Sequence, residues 1–133
     1  MQREHLPPDS PKEWLNRARS DIVMARNPIE GAYLEDLCYH AQQCAEKALK
    51  AVLLKQVGVF PCIHDLAELV HRVEIQGIAL PENVRDAAFL TEYAVEGCYP
   101  GFDDPVTDAQ WQDAVCMVEA VLDWANSVVL PRT

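Results

Sequence analysis

The chain has 133 residues, 50% of them apolar and 24% charged, with a formal net charge of -10. This suits one globular domain that buries a core without staples. The charge repels phosphate backbones and excludes duplex DNA or RNA as a default partner. The longest apolar stretches, Ala51 to Leu54 and Ala120 to Leu122, fall far short of the roughly 20 residues that a bilayer span needs. With no basic-then-apolar leader ahead of them, a cytoplasmic protein that avoids the membrane is expected.

The first helix is predicted over about 11–26. Ser10, Pro11 and Glu13 read as an N-cap, a first-position proline and the closing residue of a capping box. Trp14, Leu15, Ala18, Ile22 and Ala25 repeat at helical spacing, and Asn27-Pro28 ends the run. From Tyr33 to Val57 there is no glycine or proline, and this is the longest helix. Its buried stripe is Leu37, Ala41, Cys44, Ala45, Ala48 and Val52, small enough in places for a neighbouring helix to come close.

A third, shorter helix is expected over about 64–74 and a fourth over 81–95, with 97–105 as loop. The fifth, about 107–130, opens on a second capping box, Thr107 to Gln110. It carries two apolar stripes, one of Trp111, Ala114, Val115, Val118, Leu122 and Ala125, the other of Met117, Val121, Trp124 and Val128. Either this helix lies at the centre of the bundle, or the second stripe is an interface, most simply with another copy of the chain. The whole is one all-α domain, 1–133, an up-and-down bundle of four to five helices.

Five cysteines, Cys38, Cys44, Cys62, Cys98 and Cys116, make an odd set with no C-x-x-C pair, read as reduced and mostly buried thiols. Basic residues gather in the first two helices, leaving the C-terminal half strongly acidic. On the second helix His40, Gln43, Lys47 and Lys50 are spaced three, four and three apart, so they share one face. That face suits a nucleotide phosphate, or it is ordinary solvated surface with Glu46 pairing Lys50. Lys12, Arg19 and Arg26, every seven residues, would extend it.

His64-Asp65 opens the third helix, where either residue serves as a cap, or the two act together in proton transfer. Cys62, His64 and Asp65 are of metal-ligating types, but three ligands within four residues cannot easily surround one ion, so no metal or other cofactor is expected. Tyr99 and Phe102 offer stacking surfaces, but Asp103 and Asp104 follow at once. No glycine-rich phosphate loop, G-x-S-x-G or H-E-x-x-H occurs.

The run Tyr39-His40-Ala41-Gln42-Gln43-Cys44-Ala45-Glu46-Lys47-Ala48-Leu49-Lys50-Ala51, followed by His64-Asp65-Leu66, resembles the HEPN (higher eukaryotes and prokaryotes nucleotide-binding) domain family. Ala18-x-x-Asp21-Ile22-x-x-Ala25 and Tyr99-Pro100-Gly101 flank it as supporting matches. The resemblance implies a helical bundle, homodimers, and a small nucleotidyltransferase partner acting as antitoxin. It also implies ribonuclease activity where an arginine is followed four to six residues later by a histidine. No arginine here has a histidine at that spacing, and Cys98 stands where relatives have arginine before Tyr-Pro. Cleavage thus loses its usual cation and its usual acid-base group.

The expected function is a non-catalytic HEPN-type subunit that homodimerises and pairs with a nucleotidyltransferase-like protein in a toxin–antitoxin type module. The alternatives are a nucleotide- or RNA-binding module using His40, Gln43, Lys47 and Lys50, and an atypical ribonuclease relying on His64 and Asp65.

Overall fold

The computed structural model describes residues 4–59, 62–88 and 105–130. Within them the chain forms α1 (Pro11–Arg26), α2 (Leu34–Val57), α3 (Leu66–Ile75), α4 (helical over 82–88) and α5 (Asp108–Val129). No strand occurs among the described residues. The expected continuation of the fourth helix to 95, and the loop carrying Cys98, Tyr99, Phe102, Asp103 and Asp104, lie outside them. No helix among the described residues is long and apolar enough to cross a membrane.

The helix ends follow local chemistry. At α5 the Thr107 hydroxyl accepts the Gln110 amide at 3.1 Å, and the Gln110 side chain accepts the Thr107 amide at 3.0 Å, the capping box expected there. At α1 the expected box does not form, and the Ser10 side chain makes no cap bond. The Ser10 amide already donates to the Pro7 carbonyl at 2.9 Å, because the preceding chain folds back over the helix. Glu13 is thereby left to accept the Leu6 amide and Arg17 Nε, both at 2.9 Å. α3 begins two residues later than expected, since the Asp65 carboxylate accepts the Ala67 amide at 2.9 Å and serves as N-cap. α2 stops at Gly58, whose φ of 89° lies in the left-handed region that favours glycine.

α2 is the central helix, in contact with α1, α5 and α3, while α1 and α5 also touch. Its Ala41, Cys44, Ala45 and Ala48 are fully buried and admit close neighbours. α5 therefore does not hold the centre, yet most of both its stripes is used. Packing against two helices buries a face wide enough to take in Val121, at 0% exposure, and Trp124, at 9%, leaving Met117 and Val128 only half-buried. The expectation that Met117, Val121, Trp124 and Val128 form one exposed interface is corrected accordingly. Likewise, of the cysteines described, Cys38 and Cys44 are buried but Cys62 and Cys116 are exposed.

Polar bonds fix the three long helices in register. Trp111 Nε1 donates to the Ala25 carbonyl at 2.7 Å, and Arg19 donates to the Asn126 side chain at 2.6 Å. Lys55 donates to the carbonyls of Val128 and Val129 at 2.7 and 3.2 Å. α5 has no basic residue in its own last turn, so Lys55 of α2 supplies the cation its negative end favours.

Two outcomes follow for stability. Thr107→Ala should cost about 1 kcal/mol in urea unfolding, a usual cap loss, whereas Ser10→Ala should cost only a few tenths. Equal losses would contradict the cap geometry. The Leu6 amide, and after it Arg17, hold the Glu13 carboxyl below the usual carboxylate range, with burial opposing them. A depressed folded-state pKa contributes stability that is complete above the unfolded-state value, about 4.3, and is lost as pH falls through the folded-state value. Acid unfolding of Glu13→Gln should therefore lose part of its slope below about pH 5, and an unchanged pH profile would contradict this.

Candidate functional site

The polar stripe of α2 faces two neighbours at once, and each provides one end of a charge cluster. On the α1 side lies Asp21, only 5% exposed. One of its oxygens is 3.2 Å from His40 Nδ1 and the other accepts Lys47 Nζ at 2.6 Å. The side chain is short, and it reaches α2 because the small residues at 41, 44 and 45 let the helices close up. Tyr39, exposed beside it, meets the His40 ring edge-on with centroids 5.6 Å apart.

On the α3 side Glu46 and Lys50 are both buried, one helical turn apart, with Lys50 Nζ 3.3 Å from the carboxylate. His64, in the segment that enters α3, places Nδ1 3.2 Å from both Glu46 oxygens. The imidazole is otherwise open, its side chain 79% exposed.

The stripe predicted to bind phosphate is thus split. His40 and Lys47 belong to the Asp21 cluster, Gln43 is half-buried, and Lys50 belongs to the Glu46 cluster beneath the surface. Of the solvated-surface alternative, the pairing of Glu46 with Lys50 holds, but the pair is not solvated, each residue being 4% exposed. Both lysines lie within ion-pair distance of a buried carboxylate. Such a pair spends most of its field on its own partner rather than on an incoming anion. His64 is not partnered by Asp65, whose carboxylate is taken up by the α3 cap. Glu46 holds the ring instead.

Two members of these clusters, Asp21 and Glu46, were not among the predicted site residues. The signal for Asp21 was present: it falls three residues after Ala18 and four before Ala25, inside the apolar stripe of the first helix. An acidic residue there must be buried, and a buried carboxylate must be paired. Glu46 was assigned a neighbour, Lys50, but not its depth or its second partner.

Beneath the Asp21 cluster, burial pushes the Cys44 thiol well above its usual range. Asp21 and Glu119 add to that rise, and Lys47 opposes it. Cys44 is therefore a neutral packing residue rather than a nucleophile. Among the described residues no group of three or more His, Cys, Asp or Glu gathers as a metal site.

The HEPN domain is matched over residues 11–128. Over 49 residues, 37% of this chain, the sequence is 39% identical to "Putative toxin MJ1304" of Methanocaldococcus jannaschii, and the match spans 32% of that protein's length. Two crystal structures share the fold. ST0689, an archaeal HEPN homologue, superposes with a TM-score of 0.69 at 22% identity, covering 90% of this chain and 98% of its own. TT1696 from Thermus thermophilus gives 0.73 at 23% identity, covering 89% and 97%. At such identities the two structures speak for the fold alone.

Removing the Glu46 carboxylate leaves Lys50 deep in the chain without its carboxylate. Glu46→Ala should therefore lower unfolding free energy by about 3 to 5 kcal/mol, the usual cost of breaking a buried pair. Urea denaturation followed by circular dichroism measures it. A loss under 1 kcal/mol, the value of a surface pair, would place the cluster in water.

Proposed function

Because the chain belongs to the HEPN domain family, we propose that it is a non-catalytic subunit of a toxin–antitoxin type module, one that homodimerises and pairs with a nucleotidyltransferase-like protein. The observation that carries this reading is the internal use of charge on α2. Lys47 and Lys50 each lie against a buried carboxylate, so neither stands ready to neutralise a scissile phosphate. The sequence agrees, having no arginine followed by histidine at the spacing that HEPN ribonucleases use. The toxin-type setting is supported by the similarity to a protein named as a putative toxin, which extends over 49 residues.

Pairing requires exposed surface. Met117 and Val128 keep part of theirs, and Val23, Met24, Ile29 and Tyr33 expose apolar area around the end of α1 and the start of α2. Apolar contact with a protein partner is insensitive to salt, whereas nucleotide binding through lysines weakens as salt rises.

A second reading is nucleotide binding at the Asp21 cluster. His40 and Gln43 favour it, each keeping partial exposure beside the exposed Tyr39 ring.

Light scattering on the chain alone should give the mass of two copies, and the product of the adjacent reading frame should add to it. Incubation with single-stranded RNA and a chelator should leave the RNA intact. Titration calorimetry with ATP, GTP and a short RNA should show no heat. A monomer that ignores its neighbour would sink the pairing, and heat that fades with added salt and is lost in Lys47→Ala would favour the nucleotide-binding reading.

A further inference from the structure

We propose that Cys62 and His64 form half of a tetrahedral transition-metal site, completed by the same two residues of a second copy of this chain. Residues 62–65 run without helix between the end of α2 and the start of α3. Cys62 lies at a bend, and His64 follows two residues later with Ile63 between them. Ile63 packs against the core, while Cys62 and His64 on either side of it are both exposed. A thiol and an imidazole are thus both exposed on one short segment, two residues apart.

The imidazole is also held as a ligand should be. Its Nδ1 lies 3.2 Å from both oxygens of Glu46, which is buried and anchored to Lys50. A histidine that binds metal through one ring nitrogen usually donates the other N–H to a carboxylate, which fixes the tautomer and strengthens the ligand. Here Nε2 takes no part in the Glu46 contact, and the His64 side chain is 79% exposed.

Asp65, adjacent in sequence, is committed to the α3 cap and adds no third ligand. One chain therefore offers two donors, too few to close a site, in keeping with the absence of any group of three among the described residues. A two-fold axis between two chains doubles two donors to four, giving Cys2His2. That set and a tetrahedral shape select zinc among the common divalent ions. Each thiol gives its proton to solvent as it binds, and no redox step is involved.

The experiment is a cobalt(II) titration of the whole reduced chain. A thiolate-to-metal charge-transfer band and the visible bands of tetrahedral cobalt should grow in and saturate at one ion per two chains. The bands should be displaced by zinc. Cys62→Ser should remove the charge-transfer band, and Cys116→Ser, at the other exposed thiol described, should leave it unchanged. His64→Gln should abolish the tetrahedral bands, while Glu46→Gln, keeping both ligands, should weaken binding about 10- to 100-fold.

Cys62 and His64 are exposed, so their variants keep the fold if Glu46→Gln does not. Saturation at one ion per chain, no charge-transfer band, or a band that survives Cys62→Ser would each overturn the proposal. So would a metal-free dimer that takes up no cobalt, because it would hold the two pairs apart. That last result would leave the pairing function standing, which separates the two ideas.

Discussion

α2 must bury itself against three neighbours and yet carry His40, Glu46, Lys47 and Lys50 on the surface that meets two of them. A helix in that position cannot leave its charges in water, and it cannot leave them unpaired. Asp21, contributed by α1, and Glu46, from α2 itself, resolve the conflict. Each carboxylate is nearly excluded from solvent, and each is bracketed by one lysine and one histidine. The same pairs tie α1 and the segment entering α3 to α2, so the packing of the bundle and the charge pattern of its candidate site are one arrangement. Buried ion pairs contribute little net stability compared with apolar packing, but breaking them is costly. Here that makes them a constraint on how the helices pair.

This arrangement bears directly on function. A face that grips phosphate needs positive charge left over after its own pairs are counted. The two lysines and two carboxylates of this face balance one another, and the rest of the chain is strongly acidic. A family built around a shared bundle can carry different chemistry at the same positions, because function resides in the site rather than in the fold. In this chain the bundle is retained and the arginine–histidine spacing of its ribonucleases is absent.

The segment between α2 and α3 shows how one side chain takes a role that sequence proximity would give to another. Asp65 stands beside His64 in the chain, yet its carboxylate turns to the amide of Ala67. An N-terminal turn of helix has donors to satisfy, and the nearest short acid satisfies them. His64 is then held by Glu46, eighteen residues away in sequence and one hydrogen bond away in space. A buried, anchored acid orients a ring more firmly than an exposed neighbour would.

From the sequence alone the helical class, the helix order and most helix ends were legible. Apolar spacing, glycine and proline placement and the Thr107–Gln110 box act within a few residues, where local chemistry dominates. The central run from Tyr39 to Ala51 and His64-Asp65-Leu66 identified the family. Other features depended on what a distant segment brings. The Ser10 amide was lost to Pro7 when the chain folded back, so Glu13 turned to Leu6. Val121 and Trp124 were covered because α5 packs on two helices at once. The lysines chosen as phosphate ligands were claimed by carboxylates that periodicity alone had not marked as buried. Charge pairing and burial depend on which surfaces meet, and only the tertiary structure decides that.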